Sequence, residues 1–186
     1  PQATTTFTLG ANLDASTSAA TTFTSPITIF NSVGNQVTLS TQFTKVANAN
    51  QWTYAISTSE GTVTSGASGS VTFDTSGQLS LVRGAAVADQ SIVIDFSSAS
   101  TPAATQTLSW DLLNAAGTGT NGKLTGFAAE SNNNSLVQDG FTTGTLVGLT
   151  TSNSGVIGGL FNNGQTDNLF QLTLADFLAP SGLTRQ

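Results

Sequence analysis

The sequence contains no Cys, no His and no Met, and only 8% of its 186 residues are charged. Without thiol or imidazole groups, the chain cannot form a Cys/His zinc site, a disulfide, a Cys nucleophile or a Ser-His-Asp triad. Four basic residues against ten acidic ones give a net charge of -6. This balance offers no basic surface for phosphate backbones, so we expect no nucleic-acid partner.

Long apolar segments are also missing. No run approaches the roughly 20 apolar residues that cross a bilayer, so membrane insertion is not expected. The opening residues PQATTTFTLGANLD have neither a basic start nor an apolar core, and they are not a secretory signal. Because the first residue is Pro1 rather than Met, we interpret this start as internal or processed.

Hydroxyl and amide side chains fill the chain instead: it has 32 Thr, 22 Ser and 14 Asn, with 19 Gly. Thr favours strands through its branched Cβ, whereas Asn, Ser and Gly favour turns. Val, Leu, Ile and Phe are frequent enough to build a core. The composition therefore predicts an all-β protein with many short turns.

Alternation of apolar and polar residues, the period of a half-buried strand, recurs along the sequence. It is clearest at Ile27 and Ile29, Val37 to Phe43, Trp52 to Ile56, Val71 and Phe73, Leu79 and Leu81, Ile92 to Phe96, Leu108 to Leu112, Leu146 and Leu149, and Leu172 and Leu174. The segment from Asn168 to Leu178 is the best helix candidate, but its own alternation and Pro180 favour a strand.

Turns between these strands share one pattern, a short polar residue followed three positions later by Gly. Such a side chain can accept a bond from the backbone two residues on, while Gly supplies a positive φ. Asn163-Gly164 is a tighter hairpin signal. The residues to which we assign structural turns are Asn31, Gly34, Asp74, Gly77, Asp139, Gly140, Gly155, Asn163 and Gly164, with Ser152 opening the turn at Gly155.

Polar stretches suggest how the chain is divided. Residues 11–25, 97–107 and 117–135 have the composition of linkers. We place one boundary near residue 24 and another near residue 138. The prediction is two β-sandwich or barrel-like domains, with the outer one, residues 25–137, inserted into a discontinuous inner one formed by residues 1–24 and 138–186.

Three patterns that could carry chemistry are better explained structurally. The segment GTGTNGKL, Gly117 to Leu124, resembles a phosphate loop, but Leu replaces the Ser or Thr that would bind magnesium and no helical period follows. The acidic residues are scattered, so neither a catalytic carboxylate pair nor a calcium loop is expected. Trp52, Tyr54 and Trp110 could stack on sugars, but their strand spacing favours the core. We predict no catalytic, cofactor-binding or metal-binding residue.

Several segments nonetheless match the motifs of one family. SPITIFNSVGNQVTLSTQFTKVANANQW, from Ser25 to Trp52, resembles the start of the outer domain of bacterial flagellar hook proteins, the FlgE family. GSVTFDTSGQL, from Gly69, and IVIDFSS, from Ile92, resemble later strands of that domain. QDGFTTGTLVGLTTSNSGVIGGLFNNGQTDNLFQLTLADFLAPSGL, from Gln138 to Leu183, is similar to the segment that returns to the inner domain.

The resemblance covers nearly the whole chain, with departures. Asn31 stands where the family has Asp, Val37 where His is common and Asn162 where Ser is usual. The helical, heptad-patterned ends of the family are not present. The chain therefore resembles a fragment that lacks the terminal helical regions.

The resemblance implies a structural protein without catalysis or cofactor. Hook proteins polymerise with themselves into a flexible helical tube that acts as a universal joint and transmits motor torque to the filament. Their expected partners are a hook-capping protein during assembly and the rod and hook-filament junction proteins at the ends. The expected location is the extracellular hook, reached by flagellar type III export. The alternative reading is an extracellular adhesin or carbohydrate-binding β-sandwich module.

Overall fold

The computed structural model describes residues 1–47 and 50–173, which form strands and turns and no helix. The all-β prediction is confirmed. The chain divides into two compact units, Pro1–Thr142 and Thr143–Gln186, which we call unit 1 and unit 2. No helix in the described ranges is long and apolar enough to cross a membrane.

The described part of unit 1 contains two six-stranded sheets. The strands are β1 Thr6–Asn12, β2 Thr22–Phe30, β3 Gln36–Lys45, β4 Gln51–Thr58, β5 Thr62–Ser65, β6 Ser68–Phe73, β7 Leu79–Val82, β8 Ala85–Ala86, β9 Gln90–Asp95, β10 Gln106–Trp110, β11 Leu124–Thr125 and β12 Asn132–Gln138.

The first sheet is organised around β1. Antiparallel β12 pairs with β1 along most of its length, while β10 runs parallel to the start of β1 and β11 runs parallel to its end. From β10 the sheet continues through β9 to β5. Since β1 pairs with three strands, it ties together segments more than 100 residues apart in sequence.

The second sheet is an antiparallel series in the order β2-β3-β4-β6-β7-β8. Its longer strands alternate: β3, for example, buries every second residue from Val37 onward and leaves Thr, Ser and Gln on the other side. Alternation is expected for a sheet with one face on the core and one in water.

The core of unit 1 lies between the two sheets. Trp110 of β10 stacks on Phe7 of β1 and meets Phe43 of β3 and Tyr54 of β4 edge-on, at centroid distances of 6.0, 6.3 and 5.3 Å. Edge-to-face and offset packing is the favourable geometry for aromatic rings. One contiguous apolar cluster therefore joins both sheets.

Unit 2 contains a three-stranded antiparallel sheet with β13 Leu146–Thr151, β14 Val156–Phe161 and β15 Thr166–Gln171. Turns at residues 152–155 and 162–165 connect the strands. The predicted strand at Leu172 and Leu174 is displaced, since β15 ends at Gln171, and Leu174 lies outside the described residues.

The units divide the chain differently from the predicted boundaries at residues 24 and 138. Residues 1–24 belong to the same compact unit as residues 25–137, because β1 pairs with β10, β11 and β12. The predicted linker at 117–135 contains β11 and the start of β12, and the linker at 11–25 contains the start of β2. These segments are rich in Asn, Thr and Ser, a composition that is typical of linkers.

Candidate functional site where residues 2–6 meet residues 138–141

Two features of the described residues bear on metal binding and phosphate binding. No three acidic side chains among residues 1–47 and 50–173 gather where they could hold a metal ion. The segment from Gly117 to Leu124 forms a turn closed by a bridge between Leu113 and Thr120, and the short strand β11 follows it. Phosphate loops need a helix at that point.

The aromatic residues considered for sugar binding are in the core, which confirms that interpretation. Trp52, Tyr54 and Trp110 are at most 2% exposed. Burial raises the pKa of the Tyr54 hydroxyl, with a smaller opposing effect of the Arg83 charge. None of these rings is available as a stacking platform for a sugar.

Two of the assigned turns are closed by a polar side chain at the first position. Asn31 Oδ1 accepts bonds from the amides of Val33 and Asn35 at 3.1 and 2.9 Å, and Gly34 has a φ of 85°. Asp74 Oδ1 accepts bonds from the amides of Ser76 and Gln78 at 2.8 and 3.0 Å, and Gly77 has a φ of 77°. In each turn one side chain satisfies two amides of the chain reversal.

The turns of unit 2 also combine a short polar side chain with a glycine of positive φ. Ser152 Oγ accepts a bond from Val156 N at 3.1 Å beside Gly155, and Asn163 Oδ1 accepts one from Gln165 N at 3.1 Å beside Gly164. The two glycines have φ values of 76° and 81°.

Sequence reasoning missed one turn of this kind. Asn114 Oδ1 accepts bonds from the amides of Ala116 and Thr118, both at 3.1 Å, and Gly117 has a φ of 66°. The signal was present, because Asn114 precedes Gly117 by three positions. Gly117 also begins the glycine-rich segment that resembles a phosphate loop, and this resemblance obscures the turn pattern.

Asp139 and Gly140 have a different role from the other assigned turn residues. They lie where the segment leaving β12 runs beside the start of the chain, and Gln2 and Phe141 exchange backbone bonds of 2.8 and 2.9 Å there. We call residues 2–6 together with residues 138–141 the strand junction.

Asp139 binds the start of the chain through its carboxylate. Oδ1 accepts bonds from the amides of Thr5 and Thr6 at 2.8 and 3.0 Å, and Oδ2 accepts a short bond from the Thr5 hydroxyl. Burial raises the pKa of Asp139, but the bonds from Thr5 and Thr6 outweigh it and hold the pKa below its usual value. A carboxylate that accepts several bonds is stabilised in its charged form.

Gly140 allows the two segments to approach closely. A Cβ at this position would overlap the Thr4 hydroxyl and lie 2.7 Å from Thr4 N and 2.9 Å from Gln2 O. Gly140 N donates to Gln138 Oε1 at 2.6 Å, and the buried Thr4 hydroxyl donates to the same oxygen at 2.7 Å. Glycine is required at position 140 because any side chain would collide with the opposite segment, and not because the backbone needs a positive φ.

Thr4 also links the junction to both sheets. Its hydroxyl accepts a bond of 2.9 Å from Phe30 N, at the end of β2 in the second sheet. Gln106, at the start of β10 in the first sheet, donates through Nε2 to the carbonyls of Thr4 and Phe30 at 2.6 and 3.1 Å. The outermost contact is Thr142 Oγ1, which donates to Gly34 O at 2.9 Å.

This arrangement connects the two ends of unit 1 to each other and to both sheets. The two segments that lead into and out of unit 1 run side by side, and one hydrogen-bond network fixes them to the edges of both sheets. A force applied through the two segments would reach both sheets at once. Sequence reasoning identified Asp139 and Gly140 but not their partners, which lie more than 130 residues away.

Comparisons with known proteins agree on one family. Residues 2–141 match the family described as "Flagellar basal body protein FlaE D2 domain". No curated protein matches the chain.

Two solved structures of hook proteins are similar to the chain. The flagellar hook protein FlgE2 of Helicobacter pylori has a TM-score of 0.55 and 16% identity, over 88% of this chain and 34% of that one. The 32 kDa fragment of the hook protein FlgE from Caulobacter crescentus has a TM-score of 0.48 and 22% identity, over 63% of this chain and 46% of that one. At these identities the likeness shows the fold alone, and the chain spans about a third of the Helicobacter protein.

The family match begins and ends inside the strand junction, at residues 2 and 141, and so encloses both sheets of unit 1. The all-β architecture agrees with that of the Helicobacter hook protein. The chain belongs to the family of flagellar basal body proteins defined by the FlaE D2 domain.

Proposed function

We propose that this chain is part of a structural subunit of the bacterial flagellar hook, which polymerises with itself into a helical tube. The observation that carries the proposal is the family match over residues 2–141. The family is one of structural proteins and not of enzymes. A repeated head-to-tail interface whose rotation does not close produces such a helical assembly.

The outer face of the second sheet supports a role in a tube that bends. The residues that β2, β3 and β4 turn away from the core carry no charge and are mostly hydroxyl-bearing: Thr22, Thr24, Pro26, Thr28, Gln36, Thr38, Ser40, Gln42, Thr44, Gln51, Thr53, Ala55 and Ser57. Small polar faces can repack through many similar contacts, whereas dry apolar interfaces or strong ion pairs favour one register. We infer that such faces let subunits slide while the tube rotates, as a universal joint requires.

The strand junction supports torque transmission. If unit 1 is the outer domain, force between it and the rest of the subunit passes through residues 2–6 and 138–141. The antiparallel pairing and the Asp139 and Thr4 bonds distribute that force over both sheets. We infer that unit 1 moves as one body on this two-stranded connection.

The remaining assignments follow from the family resemblance. We propose that residues 143–186 belong to the inner domain, to which the resemblance also assigns residues 1–24. Residues 1–24 lie in unit 1 of the structure, so their assignment to the inner domain rests on the resemblance alone. The proposed partners are other copies of the subunit, the capping protein, and the rod and hook-filament junction proteins, in an extracellular hook. A chain without disulfides suits export in an unfolded state.

Deletion of the gene in the source bacterium tests the proposal. Electron microscopy of the deletion strain should show basal bodies without hooks, and the complete gene supplied in trans should restore them. A matched strain that carries the gene with a stop codon before residue 1 controls for effects on neighbouring genes. Normal hooks in the deletion strain would refute the assignment.

A further inference from the structure

Three loops of unit 1 enclose a cleft of about 290 Å³. They are the β2–β3 turn with Asn31, the β4–β5 turn with Glu60 and the β9–β10 loop with Ser100. The buried side chain of Val37 also lines the cleft. This volume is near the lower limit for small-molecule sites in proteins, so only a small ligand fits.

Hydrogen bonds between the loops hold the cleft in shape. Glu60 Oε2 accepts a bond from the Ser100 amide and Glu60 Oε1 accepts one from the Ser100 hydroxyl, both at 2.9 Å. Ser32 Oγ, in the β2–β3 turn, accepts a bond of 3.1 Å from the amide of Ala104 in the β9–β10 loop. These contacts connect all three loops. A site that is formed in advance loses less conformational freedom when a ligand binds.

Asn31 supplies a hydrogen-bond donor that the described chain does not use. The residue is 2% exposed, and its Oδ1 accepts bonds from the amides of Val33 and Asn35. Only the oxygen can accept those bonds, so the orientation of the side-chain amide is fixed. Nδ2 donates to no residue in the ranges 1–47 and 50–173 and is not fully buried, so it opens onto the cleft. An acceptor on a ligand would satisfy this donor.

Glu60 supplies an acceptor in the same cleft. A carboxylate can accept about four hydrogen bonds, and the bonds from Ser100 leave part of this capacity free. The Ser100 bonds, the backbone amide first, also hold the pKa of Glu60 below its usual value, so the group is charged at neutral pH. Its charge and the net charge of -6 disfavour anionic ligands.

We propose that this cleft binds a small uncharged ligand with several hydroxyl groups, the chemistry of a monosaccharide. A hydroxyl group both donates and accepts, so neighbouring hydroxyls can accept from Asn31 Nδ2 and donate to Glu60. A cation would satisfy Glu60 but leave Asn31 without an acceptor. None of the described residues that line the cleft is aromatic, so no ring stacks on the ligand and we expect a dissociation constant in the millimolar range.

Titration of the 186-residue chain with D-glucose and D-galactose, followed by the NMR shifts of its backbone amides, tests the proposal. We expect saturable shifts in the three loops. D-Glucuronate, which carries a carboxylate in place of the hydroxymethyl group of D-glucose, should bind about tenfold more weakly because Glu60 repels it. Shifts that do not saturate with any of the sugars, or that lie outside the three loops, would overturn the proposal.

The variant Asn31→Asp separates the donor from the turn. Asp can accept the same two turn amides, as Asp74 does in its own turn, so unit 1 should keep its unfolding temperature. The variant removes the Nδ2 donor and adds a second carboxylate to the cleft of Glu60, so sugar binding should weaken about tenfold. Asn114→Asp makes the same change in a turn outside the cleft and should leave sugar binding unchanged.

The variant Glu60→Gln tests the acceptor. Gln keeps an oxygen for Ser100 but carries no charge, so the difference in affinity between D-glucose and D-glucuronate should disappear. Unchanged sugar affinity in a folded Asn31→Asp variant would refute the cleft as the site. Saturable binding of glycylglycinamide in the cleft without binding of any sugar would indicate a polypeptide ligand and also overturn the proposal. The hook assignment does not depend on any of these outcomes, because the deletion strain tests it separately.

Discussion

The strand junction makes its clearest prediction at Gly140. Replacing Gly140 with Ala would place a Cβ over the Thr4 hydroxyl, 2.7 Å from Thr4 N and 2.9 Å from Gln2 O. Two of the three obstructing atoms belong to the backbone of the opposite segment. The side chain cannot turn away from them, so residues 2–6 and 138–141 must separate.

The expected loss of stability has two parts. Inserting a methyl group into a well-packed contact costs about 1–3 kcal/mol. Separation of the segments also weakens the bonds of Thr4 to Phe30 and Gln138, each worth about 1 kcal/mol. We expect Gly140→Ala to lower the free energy of unfolding of unit 1 by about 2–4 kcal/mol, or its unfolding temperature by roughly 5–15 °C.

Tryptophan fluorescence can measure this change in unit 1 alone. The two Trp residues of the chain, Trp52 and Trp110, are both in the core of that unit. Urea unfolding followed at their emission reports its free energy, provided that the transition is two-state.

Gly119→Ala is the matched control for this experiment. A Cβ at Gly119 would come no closer than 3.7 Å to another group, from Asn114 Nδ2, and should leave unit 1 unchanged. The reasoning is refuted if Gly140→Ala unfolds within about 0.5 kcal/mol of the unaltered chain, the range of ordinary surface changes. It is also refuted if the control loses as much stability.

Three further predictions concern the junction, a turn and pH. Asp139→Ala removes three hydrogen bonds to Thr5 and Thr6 at a partly exposed site. It should lower the free energy of unfolding of unit 1 by about 1–3 kcal/mol in the same urea assay. The control variant Asp167→Ala should leave that free energy unchanged. Gly66 and Gly84 have nearly equal φ values of 74° and 76°. A Cβ at Gly66 would overlap Ser91 O, whereas a Cβ at Gly84 would meet nothing within 4 Å. We therefore expect Gly66→Ala to destabilise unit 1 by at least about 1 kcal/mol more than Gly84→Ala. Equal effects would show that only the backbone conformation matters. Bonds from Ser16, Ser100, Ser76 and Ser97 are the largest causes that lower the pKa values of Asp14, Glu60, Asp74 and Asp95. Because the folded pKa values are lowered, the stabilisation is present above the unfolded value of about 4 and is lost as the pH falls through the folded values. The unfolding temperature should therefore be nearly constant from about pH 5 to 8, since the chain has no His, and should fall below about pH 4. A constant unfolding temperature down to about pH 2 would show that these hydrogen bonds do not stabilise the charged carboxylates.

The sequence predicted the strands that have one face in the core. β3 and β4 alternate between buried and more exposed residues, and most of the buried ones are apolar, so the period-2 pattern can be recognised in the sequence. β1 and β12 escaped detection for opposite reasons. β1 buries Leu9 to Asn12 consecutively because it pairs on both sides and is covered, whereas β12 is an exposed edge strand of Asn and Ser in which no face is apolar.

The strand junction could be predicted only in part. Asp139 and Gly140 stand out in the sequence as a polar residue followed by glycine, which favours a local turn. Their actual partners, Thr4, Thr5 and Thr6, come from the other end of unit 1. No local pattern specifies a pairing over that separation, because it depends on how both sheets close. The turns at Gly34 and Gly155, by contrast, are set by residues within four positions.

Electron cryomicroscopy of hooks isolated from the source bacterium tests the central claim most directly. The account predicts a helical tube whose outer lobes fit the two sheets of unit 1, each lobe joined to the inner layer by two adjacent strands at the position of residues 2–6 and 138–141. Hooks built from a different polypeptide, or lobes joined through any other part of unit 1, would contradict it.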